Sequence, residues 1–249
     1  MAKTDGNVYT VVFATIMVVV VGGVLAAMAQ GLKPAIKENE RFEKQQNILY
    51  AMGVNENVEG EGGVNFIPTD RVEAEYQKYI KESYIIQNGE INATDEAFKV
   101  DMKKQSKLPK SERKLPLFVG ERDGQAFYVV PMYGKGLWDA IWGYIALDKD
   151  LVVQGAFFDH KGETPGLGAD INATWFEEPF TGKKLFNADG SFEGINVYKG
   201  GSGAAANAGD LVHGVDAISG GTITSVGLED MLTDCLSAYE PYLKQQMGN

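Results

Sequence analysis

The sequence predicts an α+β protein: a single N-terminal transmembrane helix, then a domain in which helices pack on an antiparallel sheet. Three observations carry this expectation. Val8 to Ala29 is a run of 22 residues without a charge. Between Leu115 and Phe158, short β-prone segments alternate with tight-turn signals. The stretch from Val226 to Lys244 is apolar at helical spacing. The expected division is 1–30 for the N-terminal region with its span, 31–114 for a helical and inserted region, and 115–249 for the core of the folded domain.

Val8–Ala29 is long enough to cross about 30 Å of hydrocarbon as a helix. It exceeds the apolar stretch of about 7–15 residues that a cleaved secretory signal uses. Ala26-Ala27-Met28-Ala29 is a small-residue site, so cleavage stays open as the alternative. Lys3 precedes the span, and Lys33, Lys37, Arg41 and Lys44 follow it. Read by the rule that basic flanks stay inside, this bias places the large domain in the cytoplasm. Lys33–Met52 reads as a second helix after Pro34, with Ile36, Phe42 and Leu49 on its drier side and Gly53 as the stop. Asp70-x-x-Glu73 has the form of a capping box opening a helix through about Tyr84, with Val72, Tyr76, Tyr79 and Ile80 at helical spacing. The polar, Lys-rich stretch 88–113 is expected to be a surface insertion.

Leu115–Val119 and Ala126–Pro131 flank Asp123-Gly124, a hairpin signal. Gly143–Leu147 and Leu151–Phe158 flank Asp148-Lys149-Asp150, a second tight connection. Ile195–Lys199 is a further strand, and the Gly/Ala/Asn-rich run Gly200–Gly209 reads as a loop. In the last helix, Leu228, Met231, Leu232, Cys235, Leu236 and Tyr239 form one core-facing stripe.

A formal net charge of −11 argues against nucleic-acid binding, which needs a basic face. One Cys cannot form an internal disulfide. With Cys235, His160 and His213 as the only soft ligands, no zinc or iron–sulfur site is expected.

The run from Asp216 to Ser225, Asp-Ala-Ile-Ser-Gly-Gly-Thr-Ile-Thr-Ser, stands before the final helix. As a plain helix entry it supplies caps and a tight turn. As a phosphate site it brings the hydroxyls of Ser219, Thr222, Thr224 and Ser225 and two residues without side chains to the positive end of a helix. Residues 160–168, His-Lys-Gly-Glu-Thr-Pro-Gly-Leu-Gly, follow a predicted strand and read first as a Pro-Gly turn. Tyr133-Gly134-Lys135-Gly136-Leu137-Trp138 reads as a β-connection with a buried Trp. His213 is a hydrogen-bonded structural residue or, by its ordinary pKa, a proton donor.

Two of these segments carry a resemblance. Asp216-x-x-Ser219-Gly220-Gly221-Thr222 is similar to the flavinylation motif D-x-x-(S/T)-G-A-T, and Glu163-Thr164-Pro165-Gly166-Leu167-Gly168 resembles the E-T-P-G-L-G signature of the FMN-binding domain. That domain is shared by the C subunits of sodium-translocating NADH:quinone oxidoreductases and the G subunits of Rnf complexes. The long segment between span and β region favours the sodium-pump family. The resemblance implies one transmembrane helix followed by an FMN-binding domain of α+β type on the periplasmic side of the bacterial inner membrane, against the charge bias. It implies FMN joined by a phosphodiester to Thr222 by a separate flavin transferase, which recognises or activates the site through Asp216. It implies cofactor contacts from Ser219, Gly220, Gly221, Ile223, Thr224, Ser225, Glu163, Thr164, Gly166, Leu167 and Gly168, with Trp138 and Lys135 at the ring edge. The function implied is one-electron relay between neighbouring membrane subunits, from NADH toward quinone and coupled to sodium export. Gly221 departs from the Ala usual in the motif. The competing readings are an Rnf-type G subunit of electron transport, and a non-redox membrane-anchored binding or assembly module whose Ser/Gly/Thr turn only caps a helix.

Overall fold

The computed structural model describes residues 6–58 and 63–247; Lys3, on the N-terminal flank of the span, lies outside them. The chain divides after Lys44 into two units. The first is made by the greater part of α1 (Asn7–Ala51), a helix long and apolar enough to cross a membrane, with none of its apolar window buried in protein. The break expected at Pro34 is absent, and α1 runs through it. Proline removes one backbone donor, but Ala26–Gln30 and Glu38–Lys44 on its two sides are good helix formers and no turn residue joins it to end the helix.

The second unit starts at Gln45. The last turns of α1 belong to its core: Ile48, Leu49 and Ala51 are fully buried. Gly53, at φ +74°, ends the helix as the sequence suggests. Its N–H donates to Tyr50 O and that of Val54 to Leu49 O, the paired bonds of a Schellman cap.

α2 (Thr69–Tyr79) departs from expectation at both ends. Pro68 precedes it with no side-chain cap; Asp70 lies inside the first turn, where its charge complements the helix dipole. It stops at Tyr79 because the following residues, Ile80, Tyr84, Ile85 and Ile86, are β-branched or aromatic and form β1 (Ile80–Gln87) instead. β1 turns into β2 (Glu90–Ala93) through Asn88-Gly89, at φ 53° and 79°, the left-handed pair of a tight hairpin. The stretch 88–113 is therefore more than a surface insertion. It adds an edge strand and α3 (Met102–Gln105), and its Arg113, 8% exposed, pairs with Asp234 at 2.6 Å.

β3 (Leu115–Arg122), β4 (Gln125–Lys135), β5 (Ala140–Leu147) and β6 (Val153–His160) complete a sheet of order β2-β1-β3-β4-β5-β6, antiparallel throughout. Asp123-Gly124 makes the expected hairpin with φ 54° and 76°. At the second turn Asp148 Oδ1 accepts from the N–H groups of Asp150 and Val152. The sheet crosses the expected 114/115 boundary, since β1 and β2 belong to it. Then come α4 (Thr174–Glu177), β7 (Asn196–Tyr198), α5 (Ala204–Asn207) inside the expected 200–209 loop, and β8 (Gly214–Asp216), which pairs parallel with β7.

α6 (Thr222–Met247) lies on the sheet and begins four residues before the expected Val226. Leu228, Leu232, Leu236 and Tyr239 are fully buried, each leucine worth about 1.5–3 kcal/mol of apolar transfer. Cys235 is buried as expected, with its thiol pushed up to about 11 by desolvation. Close approach of α6 to β4 depends on two glycines. A Cβ on Gly227 would run into Lys135 O, and one on Gly134 into Met231.

Candidate functional site

Three connections meet at the start of α6: residues 136–139 between β4 and β5, residues 161–168 after β6, and the turn 217–221 after β8. The turn is held from within. Ile218 N–H donates to the buried Ser225 Oγ at 3.1 Å, and Gly221 N–H donates to Ile218 O at 3.0 Å. Gly220 sits at φ +77° with Leu167 against it. Thr222, the opening residue of α6, is exposed, and the first helical turn leaves N–H groups without intrahelical acceptors.

Glu163 joins the three connections. It is 5% exposed; Oε1 accepts from Trp138 N–H at 2.9 Å and Asp139 N–H at 3.4 Å, and Oε2 accepts from Thr224 Oγ1 at 2.6 Å. Burial raises its pKa, but the bonds from Thr224 and from the backbone of Trp138, Asp139 and Leu137 outweigh this and hold it below the ordinary carboxylate value. It is ionised at neutral pH. A Cβ on Gly136 or Gly168 would collide with this carboxylate. Beside it, Lys161 pairs with Asp139 at 2.9 Å, and Glu163 N–H donates to His160 Nδ1 at 3.1 Å.

Above this clamp lies a cavity of about 230 Å³ lined by Leu137, Glu163–Thr164, Leu167–Gly168 and Gly220–Thr224. Leu137, Leu167 and Ile223 form an exposed apolar rim. Nine residues singled out from sequence lie on its wall: Glu163, Thr164, Leu167, Gly168, Gly220, Gly221, Thr222, Ile223 and Thr224. The others are placed differently. Gly166 is exposed and tied to Asp170 Oδ1. Ser225 is a buried acceptor within the turn. Lys135 is exposed, off the wall. Trp138, expected to be buried, is 67% exposed and gives its backbone N–H, while the neighbouring Leu137, not singled out, lines the cavity. Both side chains of this Leu-Trp pair are exposed in a bend between strands, and aromatic size is no guide to which of them borders the cavity.

Asp216 and Ser219 border a second cavity of about 400 Å³ with Trp175, Phe176 and Pro179. The Asp216 carboxylate accepts from Gly203 N–H at 2.5 Å and Ala205 N–H at 2.8 Å, so it holds the start of α5. His213 is buried with Nδ1 at 2.7 Å from Lys184 O, the structural arrangement. Among the described residues no group of His, Cys, Asp and Glu could hold a metal ion.

This donor set fits a flavin mononucleotide. Backbone donors and glycines at a helix start suit a phosphate, a hydroxyl stands among them, and the leucine-lined rim suits an aromatic ring. The FMN-binding domain family matches residues 136–237. The C subunit of Na(+)-translocating NADH-quinone reductase from Haemophilus ducreyi is 34% identical over 219 residues, covering 83% of this chain and 80% of that protein. The same subunit from Neisseria meningitidis serogroup A is 30% identical over 233 residues, covering 89% and 87%. The crystal structure of the corresponding protein from Parabacteroides distasonis superposes with a TM-score of 0.70 at 37% identity, over 85% of this chain and 96% of that one. That of the Shewanella oneidensis protein gives 0.66 at 27% identity, over 85% and 99%. With its FMN-binding domain behind a long apolar N-terminal helix, the chain belongs to the family of C subunits of Na(+)-translocating NADH-quinone reductase.

Proposed function

We propose that this chain carries FMN through a phosphodiester on Thr222 and serves as a one-electron carrier in a sodium-translocating NADH:quinone oxidoreductase. The position of Thr222 carries the reading: an exposed hydroxyl at the opening of α6, on the wall of a cavity whose other walls are glycine, leucine and a buried carboxylate. Attachment requires a flavin transferase. The Thr222 oxygen attacks the phosphorus of the FMN half of FAD, the P–O–P bond breaks, AMP leaves and the hydroxyl proton passes to a base on the transferase.

FMN, when bound, supplies reversible one-electron chemistry. The chain's own residues supply placement. Gly220 and Gly221 let backbone approach the phosphate, and Leu137 and Leu167 offer apolar surface to the ring. Ser225 and Glu163 keep the turn and the helix start in register. Asp216 serves flavinylation by shaping the 203–205 wall beside the motif. The N-terminal helix anchors the protein in the bacterial inner membrane beside the other subunits of the complex, with the folded domain on the periplasmic side.

Intact mass of the protein produced with and without a flavin transferase tests this. The expected result is a gain of one FMN phosphoryl adduct only with the transferase. Thr222→Leu should abolish both the adduct and flavin fluorescence in denaturing gels, and an adduct persisting in that variant overturns the assignment.

A further inference from the structure

Glu163 is unusual among the charges of this molecule. It is buried, ionised, and compensated by dipoles instead of a counter-charge. Its partners are backbone N–H groups of the 137–139 connection and the Thr224 hydroxyl. The nearby Lys161 is engaged with Asp139, and Lys135 is exposed. Among the ion pairs of the described residues none includes Glu163. Dipoles stabilise a carboxylate without cancelling its charge, so a full negative charge stays at the cavity wall, shielded from solvent.

We infer that Glu163 is a positioning residue with an electrostatic duty: it locks the cradle and, as a fixed negative charge beside it, holds the flavin's reduction potential down. This rests on the FMN reading above. A group that gains an electron next to a fixed anion in a partly dry site pays the repulsion between them. The lock and the charge are separable by substitution. In Glu163→Gln the amide oxygen can accept from Trp138 N–H and the amide nitrogen can donate to Thr224 Oγ1, so the clamp persists without charge. Thr224→Val does the reverse: it removes a donor and leaves the carboxylate.

The full chain, produced with a flavin transferase, is compared as wild type, Glu163→Gln and Thr224→Val by intact mass, melting temperature and spectroelectrochemical titration. The expected result is a flavinated Glu163→Gln with a near wild-type melting temperature. Its reduced-to-oxidised ratio at fixed potential should rise at least tenfold, about 59 mV for a one-electron couple. Thr224→Val, which strips a compensating dipole from the same charge, should lie below the wild-type potential. Equal potentials in wild type and Glu163→Gln, or a rise in Thr224→Val as well, overturn the inference and leave the function standing. If Glu163→Gln takes no flavin, the sign in Thr224→Val decides. A wild-type protein that gains no FMN mass overturns the functional reading, and this inference with it.

Discussion

The Glu177 side chain on α4 is 3% exposed; its Oε1 accepts from Phe158 N–H at 2.8 Å, and its Oε2 has no hydrogen-bond partner. Desolvation pushes this carboxyl up to about 8 from an ordinary 4.5, against the lowering effect of the Phe158 bond and of the Tyr50 side chain beside it. A folded-state pKa above the unfolded one means stability is complete below the unfolded pKa and declines as pH rises through the folded one. Unfolding midpoints of the wild type should therefore fall between pH 5 and pH 9, while Glu177→Gln should lose most of that slope and exceed the wild type at pH 9, by on the order of a few kcal/mol. Denaturant titrations at the two pH values check this; parallel slopes would refute it. The glycines of the site make a second contrast. A Cβ on Gly221 meets Ile218 Cγ2 at 3.0 Å and Gly168 N at 3.2 Å, with ordinary φ, so Gly221→Ala, which restores the family's usual residue, should cost no more than about 1 kcal/mol and keep flavinylation. Gly168→Ala drives a methyl into Thr224 and Glu163 and should cost about 1–3 kcal/mol and most of the flavin, read by thermal melts and in-gel fluorescence.

At the scale of elements, α6 combines two roles. Its first turn lines the candidate site and its remaining length is core, with Tyr239 OH donating to Pro116 O at 2.7 Å and Asp234 holding Arg113. Leu232→Ala, far from Thr222 in sequence but fully buried, should cost about 2–5 kcal/mol and lower flavin content through loss of folded protein. Its flavin per folded molecule, from absorbance over circular dichroism, should stay at the wild-type value. Element by element, the sequence was legible where chemistry is local. Asp123-Gly124 announces its hairpin, and Leu228 to Tyr239 announce the packed helix face. Asn88-Gly89 carries the same hairpin signal and was hidden by the helical spacing of Tyr76, Tyr79 and Ile80 running into β1. The parallel β7–β8 pair and the Glu163–Thr224 bond, which joins residues 61 apart, leave no local trace. Motif residues far apart in sequence line one cavity; that Glu163 clamps its base, and that Leu137 instead of Trp138 borders it, depends on tertiary packing.

For the molecule as a whole, the division after Lys44 makes a prediction about where the chain can be cut. A protein beginning at Gln45 keeps Ile48, Leu49, Ala51 and the Gly53 cap, and should be soluble without detergent with an unchanged melting transition. One beginning at Gly53 loses those core side chains and should aggregate or melt well below it. Size-exclusion chromatography and circular dichroism of the two truncations separate the outcomes.

The turn before α6 is pinned at both flanks, by Ile218 to Ser225 on one side and by Thr224 to Glu163 on the other. On the attachment proposed above, a group on Thr222 would hang from a fixed stretch of backbone, and not from a mobile loop. An electron carrier held there would have to be met by its donors and acceptors, and the exposed apolar edge at Leu137, Leu167 and Ile223 is the side that the cavity leaves open to them.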